Sequence, residues 1–290
     1  GASYAIQLTG DARFNTIEYT TVTSRNTSAT SGTIVFGTGT IFGNDLNTID
    51  NCSITADGSG SFPVNGLYSA GTSSAIDNSN NTISNNQISN YFSATLVSSG
   101  ILLTSTGNST WTITNNRLFQ SATRVYTTAN THNGISVQSG SGYTITGNTI
   151  GFANAAGTGS TNIIGNSVTL AGFPGAYVTG GTANATRYIA INCAFTAAGT
   201  NSLIQSNTIG GFALYTSSGA ATTNGIWCGI NVTAGNATIG GASGGLGNTI
   251  GAASGTGSIY TATTTTGGTA VGIYATSTNT VTIQNNSIGA

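Results

Sequence analysis

The sequence predicts an all-β solenoid, a stack of roughly eight coils that each contain three short strands. Three observations support this fold class. A short Asn-containing signature returns at intervals of about one coil, a short apolar segment precedes most copies, and the composition is rich in Gly yet only 4% charged. Strands this short cannot bury an apolar face alone, whereas stacked coils share one continuous core.

The signature consists of an apolar residue, two residues, Asn, one residue and a second apolar residue. One copy runs from Ile83 through Asn86 to Ile88, and the copies are 30 to 59 residues apart. Stacked coils would place each Asn above the next, where side-chain amides can hydrogen-bond along the stack. Asn also tolerates the left-handed backbone of a sharp corner. The predicted Asn ladder consists of Asn86, Asn116, Asn148, Asn207, Asn248 and Asn286.

A second element precedes the signature and consists of Gly followed by alternating apolar residues. Gly66, Gly100 and Gly134 begin three copies at a spacing of 34 residues, and Gly225 and Gly272 begin later ones. Alternation predicts a strand with one inward face. Because Gly reaches conformations closed to other residues, we expect these glycines at a second corner of the coil.

The same repeats divide the chain. We expect irregular coils over 1–43, regular repeats over 44–151, a long insertion over about 152–187, and repeats again over 188–290. A further match at Ile163–Val168 lies only 18 residues after Asn148. This favours a small hairpin within the insertion, with an extra irregular coil as the alternative. The repetition also indicates a segment of a longer or polymerising protein.

Copies such as Thr112–Asn116 and Asn207–Gly210 resemble the parallel β-helix repeats of the pectate-lyase-like superfamily. The Thr-, Ser-, Asn- and Gly-rich background, which contains no Lys, is similar to the long β-strand-repeat surface proteins of bacteria. The resemblance implies a right-handed parallel β-helix with three sheets. It also implies an extracellular location on the cell surface, in a structural or adhesive protein.

Composition excludes several other classes. The chain has five Arg, no Lys and six acidic residues in 290, with a net charge of −1. So few cations cannot neutralise a row of phosphates, which argues against nucleic-acid binding. No apolar run reaches the length of a membrane-spanning helix, so we expect no membrane insertion. No charged segment followed by an apolar stretch opens the sequence, so a signal peptide is not expected within it.

All six acidic residues lie within the first 77 positions. Asp45, Asp50 and Asp57 could approach one another at one edge and hold Ca²⁺, which binds six to eight oxygens. Ordinary turn chemistry is the alternative, since Asn and Gly flank all three. No other cofactor is expected.

One basic cluster is present in the sequence, formed by Arg117, Arg124 and His132. A polysaccharide lyase would need its base there, but no acidic residue accompanies the cluster. The alternative for His132 is a solvated loop position. Asp77 and Arg117 are the residues to replace in a test for lyase or hydrolase activity.

Two surfaces and one cysteine pair complete the candidates. Aromatic residues follow the signature and could stack on glycans, or could seal loops against the coils: Tyr91, Phe92, Phe119, Phe152 and Phe212. Outward Thr residues could form an ice-binding grid, which Leu203, Gln205 and Gln284 interrupt. Cys193 and Cys228, about one coil apart, could form a disulfide or remain buried thiols.

We therefore expect a non-catalytic extracellular β-solenoid, a segment or subunit of a surface filament or giant adhesin. Its partners would be neighbouring copies or repeats stacked end to end, and surface glycans. A polysaccharide lyase or hydrolase, a glycan-binding module and an ice-binding protein are the alternatives.

Overall fold

The computed structural model describes residues 3–165, 184–197, 199–220, 223–252 and 255–289. Within these ranges the regular elements are 30 short strands and one 3₁₀ turn, Gly244–Leu246. Every pair of neighbouring strands is parallel, and each strand pairs with its equivalents in the coils on either side. The fold is a parallel β-helix of about eight coils, and the predicted fold class is confirmed.

The first sheet contains the longest strands, up to eight residues. Its strands, in stacking order, are Ile6–Leu8, Ile34–Phe36, Asn65–Ser69, Ser99–Leu103, Thr131–Val137, Arg187–Ala194, Trp227–Ala234 and Ala270–Ala275. Most of its residues are buried, so this sheet supplies much of the core.

The second and third sheets come from the two halves of the signature. The second contains Thr16–Glu18, Thr48–Asp50, Thr82–Ser84, Thr112–Thr114, Thr144–Thr146, Ser202–Gln205, Ala237–Gly240 and Val281–Gln284. The third contains Thr21–Ser24, Ser53–Ala56, Gln87–Ser89, Arg117–Phe119, Thr149–Gly151, Thr208–Gly210, Thr249–Ile250 and Ser287–Ile288.

Two smaller sheets lie between these three. A four-stranded sheet follows the third sheet in later coils and contains Arg124–Val125, Thr161–Ile164, Phe212–Thr216 and Ile259–Thr263. A two-stranded sheet precedes the second and pairs Asn78–Ser79 with Asn108–Ser109. The coil therefore gains a fourth side as the stack proceeds.

The apolar residues of the signature form continuous inward columns. In the second sheet, Ile83 pairs in register with Ile49 and Ile113, and all three are fully buried. The third sheet repeats this pattern with Ile54 and Ile88. Burying one such side chain stabilises the fold by about 2–3 kcal/mol. The columns therefore stabilise the stacking of successive coils.

The outward side of the second sheet is a column of threonines. Thr82, Thr112 and Thr144 are in register and half-buried, and Leu203 replaces Thr in the following coil. Thr on an exposed strand face is a common β-sheet feature. Leu203 therefore interrupts this Thr column, as the sequence predicted.

The sharp corner between the second and third sheets is made by the residue before the ladder Asn. Asn85 and Asn115 have φ of 56° and 55°, and Gly147 and Ser206 take the same position in the next coils. The two Asn of the signature thus have separate roles. The first adopts the left-handed conformation, and the second points its amide inward along the stack.

The glycines of the second element lie inside strands, so their predicted corner position is wrong for Gly66, Gly100, Gly134 and Gly272. A Cβ at Gly134 would lie 2.5 Å from the carbonyl oxygen of Ala190 and 2.8 Å from Ile150 Cγ2. Glycine is required here because the next strand of the first sheet and the side chain of Ile150 in the third sheet both approach this position closely. Only Gly225 of the set adopts a left-handed conformation, with φ of 73°.

The predicted hairpin in the insertion is also wrong where the structure describes it. Thr161–Ile164 is a strand of the four-stranded sheet and pairs in parallel with neighbouring coils. The rest of that match, residues 166–168, lies outside the described residues. In the segment 1–43, strands such as Ile6–Leu8 and Ile34–Phe36 already belong to the common sheets.

No helix among the described residues is long and apolar enough to cross a membrane.

Candidate functional site

The ladder asparagines occupy one buried column at the corner between the second and third sheets. Asn86 Nδ2 donates to Asn116 Oδ1 at 3.0 Å and to the carbonyl oxygen of Ile49 at 2.9 Å. The backbone N–H of Asn86 donates to the same Asn116 Oδ1 at 3.0 Å. Each amide thus contacts the coils on both sides, which satisfies groups that would otherwise be costly to bury.

The same bonds repeat through the later coils. Asn116 donates to Asn148, Asn148 to Asn207, Asn207 to Asn248, and Asn248 to Asn286, with Nδ2–Oδ1 distances of 2.8–3.0 Å. The column begins at Cys52, whose N–H donates to Asn86 Oδ1 at 2.8 Å.

Additional Asn columns exist that the sequence analysis missed. Asn15 donates to Asn47 and Asn47 to Asn81, at Nδ2–Oδ1 distances of 2.8 and 3.1 Å. Asn44 donates in the same way to Asn78 at 3.0 Å. Asn44 and Asn78 are 34 residues apart, as are Asn47 and Asn81, and this shared spacing was the available signal. A further column joins Asn133, Asn192 and Asn231 in the first sheet.

The aromatic residues predicted to form a glycan-stacking strip are mostly core residues. Tyr91, Phe152 and Phe212 are 2%, 5% and 0% exposed. Phe212 lies 5.0 Å from the Tyr188 ring, and Phe92 is partly buried against the core. Sugar stacking requires an open ring face, so this prediction is wrong for the buried members. Phe119 is half-buried in its strand.

The basic residues divide into one exposed and two buried side chains. Arg117 points outward from the third sheet. Arg124 is buried; its Nε donates to Gln120 Oε1 at 2.8 Å and its Nη2 to Asn90 Oδ1 at 2.6 Å. Its guanidinium also lies 4.2 Å from the centre of the Phe62 ring. Arg124 therefore anchors a loop rather than facing a ligand.

His132 is buried, so its predicted solvated loop position is wrong. Its Nδ1 accepts the N–H of Ser98 at 3.2 Å, and its ring lies 3.9 Å from that of Tyr126. Burial lowers the pKa of His132 to about 3, and its Nε2 has no hydrogen-bond partner. The imidazole is therefore neutral, and its side-chain partner is the Ser98 hydroxyl, 3.0 Å from Nδ1. Burial likewise raises the pKa of Tyr91 to about 12.

The three aspartates of the predicted Ca²⁺ site each accept a hydrogen bond from a different serine: Asp45 from Ser79, Asp50 from Ser84 and Asp57 from Ser59. Asp45 Oδ1 accepts the N–H of Ser79 at 2.8 Å. Asp50 accepts the Ser84 hydroxyl at 2.6 Å, a bond that lowers the pKa of Asp50. Across the described ranges, no group of three or more Asp, Glu, His or Cys could hold a metal ion. The predicted Ca²⁺ site is wrong because these carboxylates stabilise separate corners.

Asp11 has a distinct environment that the sequence did not indicate. Its carboxylate accepts N–H groups from each residue of Thr40–Gly43, at 2.8–3.2 Å, and also the Thr40 hydroxyl at 2.5 Å. The Thr40 hydroxyl makes the largest contribution to holding the pKa of Asp11 well below its usual range. A single carboxylate thus fixes the conformation of the whole loop.

Asp77 lies in a cleft of about 230 Å³ between the first and second sheets. It accepts the hydroxyl of Ser109, and serine, threonine and glycine residues of successive coils form the walls. Asp77 is the single ionisable residue of this cleft. Arg117 projects from the third sheet, so the two residues chosen for an activity test do not share one site.

Cys193 and Cys228 are both free and fully buried. Cys193 pairs in register with Val232, and Cys228 pairs with Ile189. The two thiols are therefore offset by four residues along the strand direction, about 13 Å, too far for a disulfide. The prediction aligned Gly225 with the glycine column, whereas the structure places Gly229 there. Burial raises the pKa of Cys228 to about 12.

Comparisons of the chain with protein-family models, curated proteins and solved structures found no match.

Proposed function

We propose that this chain is a structural and adhesive segment of an extracellular β-solenoid, part of a surface filament or a large adhesin. The observation that carries the proposal is the continuous Asn column. Each amide bonds the coil below and the coil above, so every coil specifies another of its own kind as neighbour. Stacking of similar coils is suited to an extended rod, such as a surface filament, whose length depends on the number of coils.

The use of the ionisable residues supports a structural role. Asp11 fixes a loop, Asp50 bonds a corner serine, and Arg124 bonds Gln120 and Asn90. These groups hold the coils in shape. The outward strand positions are mostly neutral, which avoids repulsion between like charges stacked in register.

We also propose that a neighbouring copy or repeat stacks on the coil of residues 270–288. Ile283 and Ile288 continue the inward columns of Ile239 and Ile250 in register, and Asn286 continues the Asn column. A coil of the same kind would extend these columns without a change of register.

Electron microscopy and sedimentation velocity test this proposal. We expect end-to-end particles for the unmodified chain and fewer for Ile283→Asn, which places a polar group on the stacking face. Thr282→Asn, on the outward side of the same strand, is the matched control and should assemble normally. Isolated particles with no end-on contact would contradict the proposal. Turnover of a polysaccharide that is lost in Asp77→Ala or Arg117→Ala would favour the enzyme alternative.

A further inference from the structure

An apolar patch lies on the outer side of the corner that leads into the second sheet. Phe14 and Leu46 hold the same left-handed corner position in consecutive coils, with φ of 59° and 58°. Ile41 and Phe42 belong to the loop that precedes Leu46. We call these four residues and Arg13 the Phe14 patch. Their apolar members are 40–70% exposed.

The patch is confined to the first two coils. In the next coils the same corner position is taken by Asn80 and Thr110, which are polar. Because the corner residues point sideways from the stack, the patch is exposed along the rod and not at a stacking face. A local apolar cluster on a neutral polar surface is typical of an interaction site.

The guanidinium of Arg13 lies over both aromatic rings of the patch. Its Cζ is 5.2 Å from the centre of the Phe14 ring and 5.0 Å from that of Phe42. With one face beside Arg13, the rings are still 70% and 56% exposed. Much of the surface of both rings is therefore open to solvent. Cation–π contacts of this kind fix the rings relative to one another.

The polar groups of the patch form a neutral pair. Arg13 Nε lies 3.7 Å from Asp45 Oδ2 and makes no hydrogen bond. The exposed part of the guanidinium offers N–H donors, whereas the Asp45 carboxylate is buried and accepts from Ser79. Because Asp45 offsets the charge of Arg13, the patch has no excess positive charge to attract an acidic ligand.

The loop that presents Phe42 is fixed before any ligand arrives. Asp11 accepts the N–H groups of Thr40, Ile41, Phe42 and Gly43. An exposed apolar loop held this firmly loses little conformational freedom on binding.

We propose that the Phe14 patch binds a neutral saccharide, with the sugar's C–H face on the exposed Phe14 and Phe42 rings and its hydroxyls on the guanidinium of Arg13, whose side chain is 33% exposed. The proposal rests on the adhesive role proposed above and names its ligand class. A hexose offers one apolar face and a rim of donors and acceptors, which matches this arrangement. A stable protein interface needs about 20–30 residues on each side, far more than this patch supplies.

A glycan array and calorimetry test the proposal, with immobilised neutral gluco-, manno- and galacto-oligosaccharides and uronic-acid oligosaccharides of matched length. Phe14→Asn places in the corner the residue found at Asn80, and so keeps the left-handed backbone favourable. Tyr19→Asn is the matched control, because Tyr19 is a 77% exposed aromatic at the other left-handed corner, where the next coil has Asn51.

We expect the unmodified chain to bind one or more neutral oligosaccharides. Phe14→Asn and Phe42→Ser should each weaken that binding about three- to tenfold, and Tyr19→Asn should leave it unchanged. An empty array, binding only to uronic acids, or equal loss in Tyr19→Asn would overturn the proposal. End-to-end assembly is measured separately. An empty array together with normal assembly would contradict saccharide binding but not the proposed structural role.

Discussion

Ile150 Cγ2 fills the space where a side chain at Gly134 would begin, 2.8 Å from the position of a Cβ atom. Gly134 is in the first sheet and Ile150 in the third, so the two sheets are in close contact at this point, where the Ala190 carbonyl oxygen also lies 2.5 Å from the same position. It yields a direct prediction about stability.

Gly134→Ala should lower the free energy of unfolding by about 1–3 kcal/mol, because the added methyl group overpacks the core. Chemical denaturation monitored by circular dichroism measures the change. Gly245→Ala is the control, since a Cβ there meets no atom within 4 Å. Equal effects of the two substitutions would show that close packing is not what requires Gly134.

Asn116→Ala should be more destabilising than its small change in volume suggests. It removes the acceptor of the Asn86 amide and the donor to the Ile83 carbonyl oxygen. Each buried group left without a partner costs about 1–3 kcal/mol. Asn115→Gly, at the adjacent left-handed corner, should cost about 0.5 kcal/mol or less. The same denaturation assay compares them, and a reversed order would contradict the assigned roles.

Acid should destabilise the fold through His132. Its pKa is about 3 in the folded chain and about 6.5 when unfolded, so the unfolded state binds more protons between these values. Stability from this residue is therefore complete above about pH 6.5 and declines as the pH falls towards 3.

His132→Gln removes this titration while leaving a side-chain acceptor for Ser98. Denaturation midpoints measured from pH 7.5 to 4 should fall more steeply for the unmodified chain than for the variant. Parallel curves would show that His132 does not contribute to the acid sensitivity.

Asp11→Asn should loosen the loop that contains Phe42 without disturbing the coils. The neutral amide keeps one acceptor oxygen but loses the charge that attracts four N–H groups. Hydrogen exchange should accelerate at residues 40–43 alone. Asp57→Asn, which alters the turn at Ser59, is the control and should leave residues 40–43 protected.

Thiol labelling tests the register of the first sheet. Cys193 and Cys228 are buried and four residues out of register, so they should react with a thiol reagent only after unfolding. The thermal midpoint should not change with dithiothreitol. Thr282→Cys, on an exposed face, supplies a thiol that reacts at once. A disulfide-linked peptide containing both residues would contradict this register.

The parallel β-helix was predictable because the buried residues of its core recur in a short sequence repeat. Ile83, Asn86 and Ile88 recur once in each coil, and this spacing predicted stacked coils of short strands with an Asn ladder. The Asn columns near Asn44 and Asn78 followed the same logic but lay outside the signature that was sought.

The remaining features depend on contacts between segments that are distant in sequence. Nothing local distinguishes Gly134, which must stay small beside Ile150, from Gly225, which turns a corner. Because Gly229, and not Gly225, aligns with the glycine column, Cys228 lies four residues away from the position opposite Cys193, and the predicted disulfide is not possible. The Phe14 patch also requires two loops to meet, since Phe14 and Phe42 are 28 positions apart.

The amide column gives the rod a mechanical anisotropy. The Asn bonds and the strand-to-strand bonds all join one coil to the next, so tension along the axis is shared among several rows at once. A force that lifts one coil sideways breaks these rows one after another. Such a rod would withstand pulling along its length far better than peeling from its side.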